Sequence, residues 1–306
     1  MKVIRLICLV AVLMNLSKQH VFAQKRVVII GLDGFSVDGF KTARHPNLDK
    51  MIADGVLSLT TRPVMPSVTL PNWTSHLTGS GPEEHGVTDN KWTLENQRLK
   101  PLETDKEGYY PSIFKILKDH VPGVKTAFYY NWAELPNSMN KKYFDEISFE
   151  WKDKYDSNYQ RAFDFIVENR HSPTLVFLYS VHTDHAGHSY NWMSPQYITA
   201  IEQADTAIGI FLDKIRAEKL YDDTHFLLIT DHGGHPKSGH GGTSMEEMQV
   251  PWAITGPEIK RSGLTNMYNS NKNTAMVIAR LFGVKEKDLP KCWTGSIPDG
   301  IFVKKK

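Results

Sequence analysis

The 306-residue chain carries 36 basic and 34 acidic side chains, a formal net charge of +2, and 41% of its residues are hydrophobic. This is enough to build the core of one full-sized domain, and it excludes both a disordered polyelectrolyte and a strongly basic surface for polyanions. Of the two cysteines, Cys8 falls in the leader described next, so an exported form keeps Cys292 alone and no intrachain disulfide.

Lys2 and Arg5 precede a short apolar run from Leu6 to Leu16, and Val21-Phe22-Ala23 places small residues three and one before a cut ahead of Gln24. This pattern predicts a signal peptide over residues 1–23 and a product that is periplasmic or secreted. The apolar run is too short for a permanent membrane span. Lys304-Lys305-Lys306 reads as a solvated tail.

Residues 24–306 read as a single domain. Arg26-Val-Val-Ile-Ile-Gly-Leu32 is a continuous apolar strand that closes on Asp33-Gly34. Segment 46–55 opens on Pro46, spaces its apolar residues helically and ends on Gly55, which predicts a short helix. Leu57–Thr61 reads as a strand. Pro71 fits the first turn of a helix running to about Leu77, which puts Thr69 just ahead of a helix amino terminus. Free N–H groups and the dipole favour an anion there. Thr69 reads equally well as an ordinary capping residue.

Residues 79–87 form a glycine-rich loop, 112–120 a helix, 124–130 a strand and 153–170 a longer helix. Thr174–Val181 is the next buried strand, and it empties into His182-Thr-Asp-His-Ala-Gly-His188. The longest helix covers 194–220, with Ile198, Ile201, Ala204, Ile208 and Leu212 on one core-facing stripe. Phe226-Leu-Leu-Ile-Thr230 is a strand that delivers Asp231-His232 to its exit, with glycines and His240 behind. A short strand over Val250–Thr255 and a helix over 273–282 follow. Alternating strands and helices predict an α/β fold: a mostly parallel central sheet with helices on both faces. Ligands bind such sheets beyond the carboxyl ends of the strands.

Three strand exits thus offer Asp33, then Asp184 and His188, then Asp231 and His232, with His240 shortly after. Carboxylate oxygen beside imidazole nitrogen suits a divalent cation such as zinc. With Thr69 the candidates outnumber the three or four ligands of one zinc site, so two cations are the economical count. Each short motif alone is weak evidence, because Asp-His-Gly also occurs in solvated turns.

The ordered set Asp33-Gly34, Thr69-Leu-Pro-Asn72, Asp184-x-x-Gly187-His188, Asp231-His232-Gly233 and His240 resembles the nucleotide pyrophosphatase/phosphodiesterase family of the alkaline phosphatase superfamily. The resemblance implies an alkaline phosphatase-like fold and two Zn2+ ions, or other divalent metals. Asp33, Thr69, Asp231 and His232 would surround one, and Asp184, His188 and His240 would hold the other. It also implies Thr69 as nucleophile, a phosphothreonine intermediate released by activated water, and Asn72 as donor to a nonbridging phosphoryl oxygen. The implied substrate is a small phosphodiester or nucleotide pyrophosphate, and no nucleic-acid polymer is expected as partner. A cation makes chemical sense of the threonine, whose alkoxide it stabilises.

Leu70 stands where nucleotide-selective members often carry an aromatic side chain, and Tyr130 and Trp132 are the candidates for a stacking wall beside it, although such residues equally serve as core. Leu70, Tyr130 and Trp132 are therefore the expected substrate contacts. Gly187 is expected to let the chain turn tightly before His188, leaving His182 and His185 as spare histidines. The interval from His232 to His240 is short where larger members place a long insertion, which leaves a compact rim. Phosphonoacetate hydrolase-like cleavage and phosphomonoesterase activity are the enzymatic alternatives. A sulfatase would need Cys or Ser followed by proline and arginine at the nucleophile. A metal-bound extracytoplasmic binding protein would have no need of Thr69.

Overall fold

The computed structural model describes residues 25–151, 154–237 and 239–304, so the expected leader lies outside the described residues. In chain order the elements are β1 (Arg26–Leu32), α1 (Val37–Thr42), α2 (Pro46–Ile52), β2 (Gly55–Thr61), α3 (Thr69–Thr78), α4 (Pro82–His85), α5 (Ile113–His120), β3 (Lys125–Tyr130), β4 (Glu146–Phe149), α6 (Tyr155–Glu168), β5 (Thr174–Ser180), α7 (His182–Tyr190), α8 (Pro195–Ala217), β6 (Thr224–Ile229), α9 (Met245–Met248), β7 (Val250–Thr255), β8 (Gly263–Leu264) and α10 (Asn273–Leu281). None of the described helices is long and apolar enough to cross a membrane.

The strands form one eight-stranded sheet in the order β4-β3-β5-β1-β6-β7-β2-β8. β4, β3, β5, β1 and β6 run parallel. β7 reverses direction against both β6 and β2. Every residue of β1 is buried, as a central parallel strand covered on both faces requires. Its side chains alternate: Val27 and Ile29 join Trp73, Phe114 and Ile278 on one face, while Val28, Ile30 and Leu32 join Leu48, Ile166, Ile201 and Ile208 on the other.

Register fixes where the strands stop. Leu32 lies opposite Ser180, and Gly31 lies opposite both Tyr179 and Ile229. The chain therefore leaves β5, β1 and β6 at almost the same level, on the same edge. The approach of α3 to this edge depends on Gly31. A Cβ there would stand 2.8 Å from Trp73 Cη2 and 3.4 Å from Phe177, so the indole of Trp73 lies where any other residue would put a side chain.

The main departure from the sequence expectation is α7. Its histidines, glycine and short polar residues have weak helix propensity and read as a loop, yet the segment is helical and packs against α8. Gly187 makes no turn. Its missing side chain leaves room for Trp192, whose indole lies 2.6 Å from where a Cβ would be. Five further elements, α1, α4, β4, α9 and β8, are too short or too exposed to show a periodicity.

Gly31→Val should cost about 1–3 kcal/mol by overpacking, read as a lower urea midpoint with an unchanged slope. A midpoint equal to the parent's would show that Trp73 is not seated on β1.

Candidate metal centre

Thr69 is the first residue of α3 rather than the residue before it, and it is 5% exposed. The hydroxyl Oγ1 lies 3.3 Å from His232 Nε2. The same nitrogen is 3.1 Å from Asp231 Oδ2 and 3.7 Å from Asp33 Oδ1. Ligand atoms of Asp33, Asp231 and His232 all lie within 4.8 Å of one another, so one cation can touch all three.

The second group is assembled from α7 and the loop after His232. Asp184 and His188 are four residues apart and share one helix face. His188 Nε2 is 3.5 Å from Asp184 Oδ1 and 3.1 Å from His240 Nε2, which is itself 3.7 Å from Asp184 Oδ1. The His232 and His240 rings stack at 3.7 Å between centroids, so the two groups abut.

Several neighbours fix which atoms face inward. Asp33 Oδ2 accepts hydrogen bonds from the Tyr179 hydroxyl and from Trp73 Nε1, the latter at 3.3 Å. Asp231 Oδ1 accepts from Gly34 N at 3.0 Å. His232 Nδ1 pairs with Gly233 O at 2.8 Å and His240 Nδ1 with Ser67 O at 3.0 Å, which assigns the protons to Nδ1 and leaves both Nε2 atoms as ligands. His76, fully buried and pushed down to about 3 by burial, bridges Thr274 Oγ1 and the carbonyl of Thr230, the residue before Asp231.

Whether this site fits a metal is decided by what remains unpaired. Among the described residues, Asp33 Oδ1, Asp231 Oδ2 and Asp184 Oδ1 are buried without a hydrogen-bond partner, and these are the carboxylate oxygens that face the imidazole nitrogens. An orphaned buried carboxylate oxygen is costly. Burial pushes the Asp33 and Asp184 carboxyls well above the ordinary range, with neighbouring carboxylates adding to the effect, and lifts Asp231 to about 7. Burial likewise depresses His188 and His232, and brings His240 down to about 3, so the imidazoles offer lone pairs. Acids that hold protons beside neutral imidazoles make up a donor set suited to divalent cations.

The remaining expectations divide. Asn72 is fully buried and its side-chain amide is fully engaged. Its amide donates to Val64 O, Pro66 O and Val68 O, and its oxygen accepts from Val64 N and Asn271 Nδ2. It braces the chain leading into α3 and has no donor left for a phosphoryl oxygen. Asn90 stands beside the nucleophile instead, its Oδ1 accepting from Leu70 N at 2.8 Å. Nothing in the sequence marked Asn90, which lies in an irregular loop with no motif. Leu70 is wholly buried with Val87 and Trp92, flanked by Leu94, Tyr109 and Trp132. Tyr130 is no wall of a site: it packs in the core against Phe128 and Phe149. His182 stacks on Tyr155 and bonds Ala200 O, and His185 and Lys237 are exposed.

Comparison with known proteins gives one family and one fold. The family described as "Type I phosphodiesterase / nucleotide pyrophosphatase" matches residues 27–268. Ectonucleotide pyrophosphatase/phosphodiesterase family member 3 of Rattus norvegicus is 25% identical over 221 residues, covering 69% of this chain and 25% of that protein. Family member 1 of Homo sapiens is 26% identical over 229 residues, covering 69% of this chain and 24% of its own length. The chain thus spans about a quarter of these relatives. Murine ectonucleotide pyrophosphatase/phosphodiesterase 5, solved as an inactive variant with AMP, superposes with a TM-score of 0.71 at 14% identity, covering 87% of this chain and 96% of that one. The lipoteichoic acid synthase LtaP of Listeria monocytogenes gives 0.68 at 17% identity, covering 89% and 75%. The fold is alkaline phosphatase-like.

Metal-free Asp231, held up to about 7, keeps a proton that the unfolded chain releases near 3.8. The folded state therefore binds more protons across that window, and this group's contribution to stability falls as pH rises through it. Metal-free Asp231→Asn should accordingly gain on metal-free wild type between about pH 4 and about pH 7, read from urea midpoints. A constant gap between the two would contradict the assignment.

Proposed function

The chain belongs to the type I phosphodiesterase / nucleotide pyrophosphatase family, and from that membership we propose that it is an exported, divalent-metal hydrolase of small phosphate esters with Thr69 as nucleophile. One observation carries the reading. Three orphaned carboxylate oxygens, three imidazole nitrogens and one threonine hydroxyl, drawn from five separate segments, converge at the carboxyl edge of the sheet. A fold needs no such arrangement for stability, since each orphan is a cost.

Zinc, or another divalent cation, held by Asp33, Asp231, His232 and Thr69 on one side and by Asp184, His188 and His240 on the other, would stabilise an alkoxide, offset phosphoryl charge and acidify water. Thr69 Oγ1 attacks phosphorus, the bond to the leaving ester oxygen breaks, and the phosphoryl group passes to the threonine. Water then attacks phosphorus and breaks the bond to Thr69, which restores the hydroxyl. The start of α3 favours the anionic group through its dipole. Asn90, with its oxygen engaged by Leu70 N, directs its Nδ2 donor to a nonbridging oxygen.

Leu70, Val87 and Trp92 are closed core beside Thr69, and the partly buried Tyr109 and Trp132 packed at their edge are the aromatic faces suited to a flat leaving group. A nucleotide fits that description, and the murine relative solved with AMP supports it. Family membership favours phosphodiesters and nucleotide pyrophosphates over monoesters.

Wild type should hydrolyse bis(4-nitrophenyl) phosphate faster than 4-nitrophenyl phosphate, and Thr69→Ala should lose more than about 10³-fold in kcat with an unchanged thermal midpoint. A variant that retained near-parental turnover would remove Thr69 as nucleophile, and the reverse substrate order would make the protein a monoesterase. Asn90→Ala should lower kcat by about 10²–10³-fold, as loss of one donor to developing charge does, with little change in KM. A change confined to KM would confine Asn90 to ground-state binding.

A further inference from the structure

His240 is the only candidate ligand that neither a described helix nor a strand exit carries. It sits in a loop with Gly239 at φ +74° and Gly241 at φ +105°, conformations in which backbone freedom is large. A ligand on such a loop needs something to hold it.

Glu247 is placed to do this. It lies in α9 and is 4% exposed, and no ion pair to it is found among the described residues. Its carboxylate accepts from Gly242 N at 2.6 Å and from Ser244 N at 3.0 Å. Its backbone carbonyl accepts from Gly233 N at 3.2 Å, directly after His232. The loop's other flank is held by Ser67, two residues before Thr69. Ser67 Oγ accepts from Gly241 N at 3.0 Å and donates to Gly242 O at 2.9 Å, while its carbonyl accepts from His240 Nδ1 at 3.0 Å. Gly242 has little room to shift, since a Cβ there would lie 3.0 Å from Glu247 Oε2.

We propose that Glu247 is the positioning residue of the second cation site. It ties the His240 loop to the exit of β6 and, with the Ser67 hydroxyl 3.5 Å from Glu247 Oε1, to the approach to Thr69, so that His240 Nε2 faces Asp184 and His188. Among the described residues this buried anion has no ion pair, and its hydrogen bonds to Gly242 N and Ser244 N fix the loop. This inference rests on the two-cation reading above. It adds a consequence which that reading lacks: the Glu247 carboxylate bears on the second site, because it holds the His240 loop through Gly242 N and Ser244 N, whereas Asp33 is set by Tyr179 and Trp73 and Asp231 by Gly34 N, and the Glu247 carbonyl's bond to Gly233 N beside His232 is kept in Glu247→Gln.

The test is zinc titration of the metal-free full chain by calorimetry, with bound metal counted by mass spectrometry, for wild type, Glu247→Gln and Ser67→Ala. Wild type should bind two zinc equivalents. Glu247→Gln should keep one at the parental affinity and lose about 10–100-fold at the other, as is usual when a group behind a ligand is removed. Ser67→Ala should weaken the same site in the same direction, and it decides the matter should Glu247→Gln fail to fold. If wild type binds a single zinc, the two-cation reading fails. Two zincs in every protein at unchanged affinity would overturn the role of Glu247 alone. So would equal weakening at both sites with a lower metal-free thermal midpoint, the mark of a merely structural residue.

Discussion

The structure turns on three carboxyl groups that leave adjacent strand ends into a water-poor edge of the sheet and keep one buried oxygen each without a hydrogen bond. In a low-dielectric setting such oxygens must hold a proton or face a cation. The upward displacement of Asp33, Asp184 and Asp231 is the protonated answer. Neutral imidazole nitrogens aimed at the same three oxygens carry the lone pairs that would share a cation with them, which is the other answer.

The sheet produces this constraint by register. Because β5, β1 and β6 are parallel neighbours that stop together, their exits deliver Asp184, Asp33 and Asp231 to one place with little help from loops. The nucleophile joins them through a chain of close contacts. Gly31 admits Trp73 onto β1, Trp73 donates to Asp33, and the helix bearing Trp73 begins with Thr69. Asn271 closes the loop, donating to Asp231 O at 2.8 Å and to Asn72 Oδ1 at 3.0 Å, so the approach to α3 and the exit of β6 are held by one buried side chain. Local order at Thr69 is therefore a property of the core.

Much of this was legible in the chain. Continuous apolar runs are unambiguous for strands buried on both faces, and a carboxylate at the end of each run stands out against them. What escaped was whatever depends on tertiary partners. The segment from His182 lacks helical propensity and is helical because Trp192 and α8 pack against it. β7 carries the same apolar pattern as its parallel neighbours, and nothing in that pattern states direction. Motif position favoured Asn72, whose hydrogen bonds all go to the chain entering α3 and to Asn271, while Asn90 reaches Leu70 N from an irregular loop. Tyr130 ends an apolar strand, where an aromatic side chain serves a core as readily as a binding wall, and here it serves the core.

Anomalous diffraction at the zinc edge from zinc-loaded crystals would test the central claim most directly. The account predicts two anomalous peaks, one within bonding reach of Thr69 Oγ1, Asp33 Oδ1, Asp231 Oδ2 and His232 Nε2, the other within reach of Asp184 Oδ1, His188 Nε2 and His240 Nε2. Peaks elsewhere, or none between these groups, would contradict it.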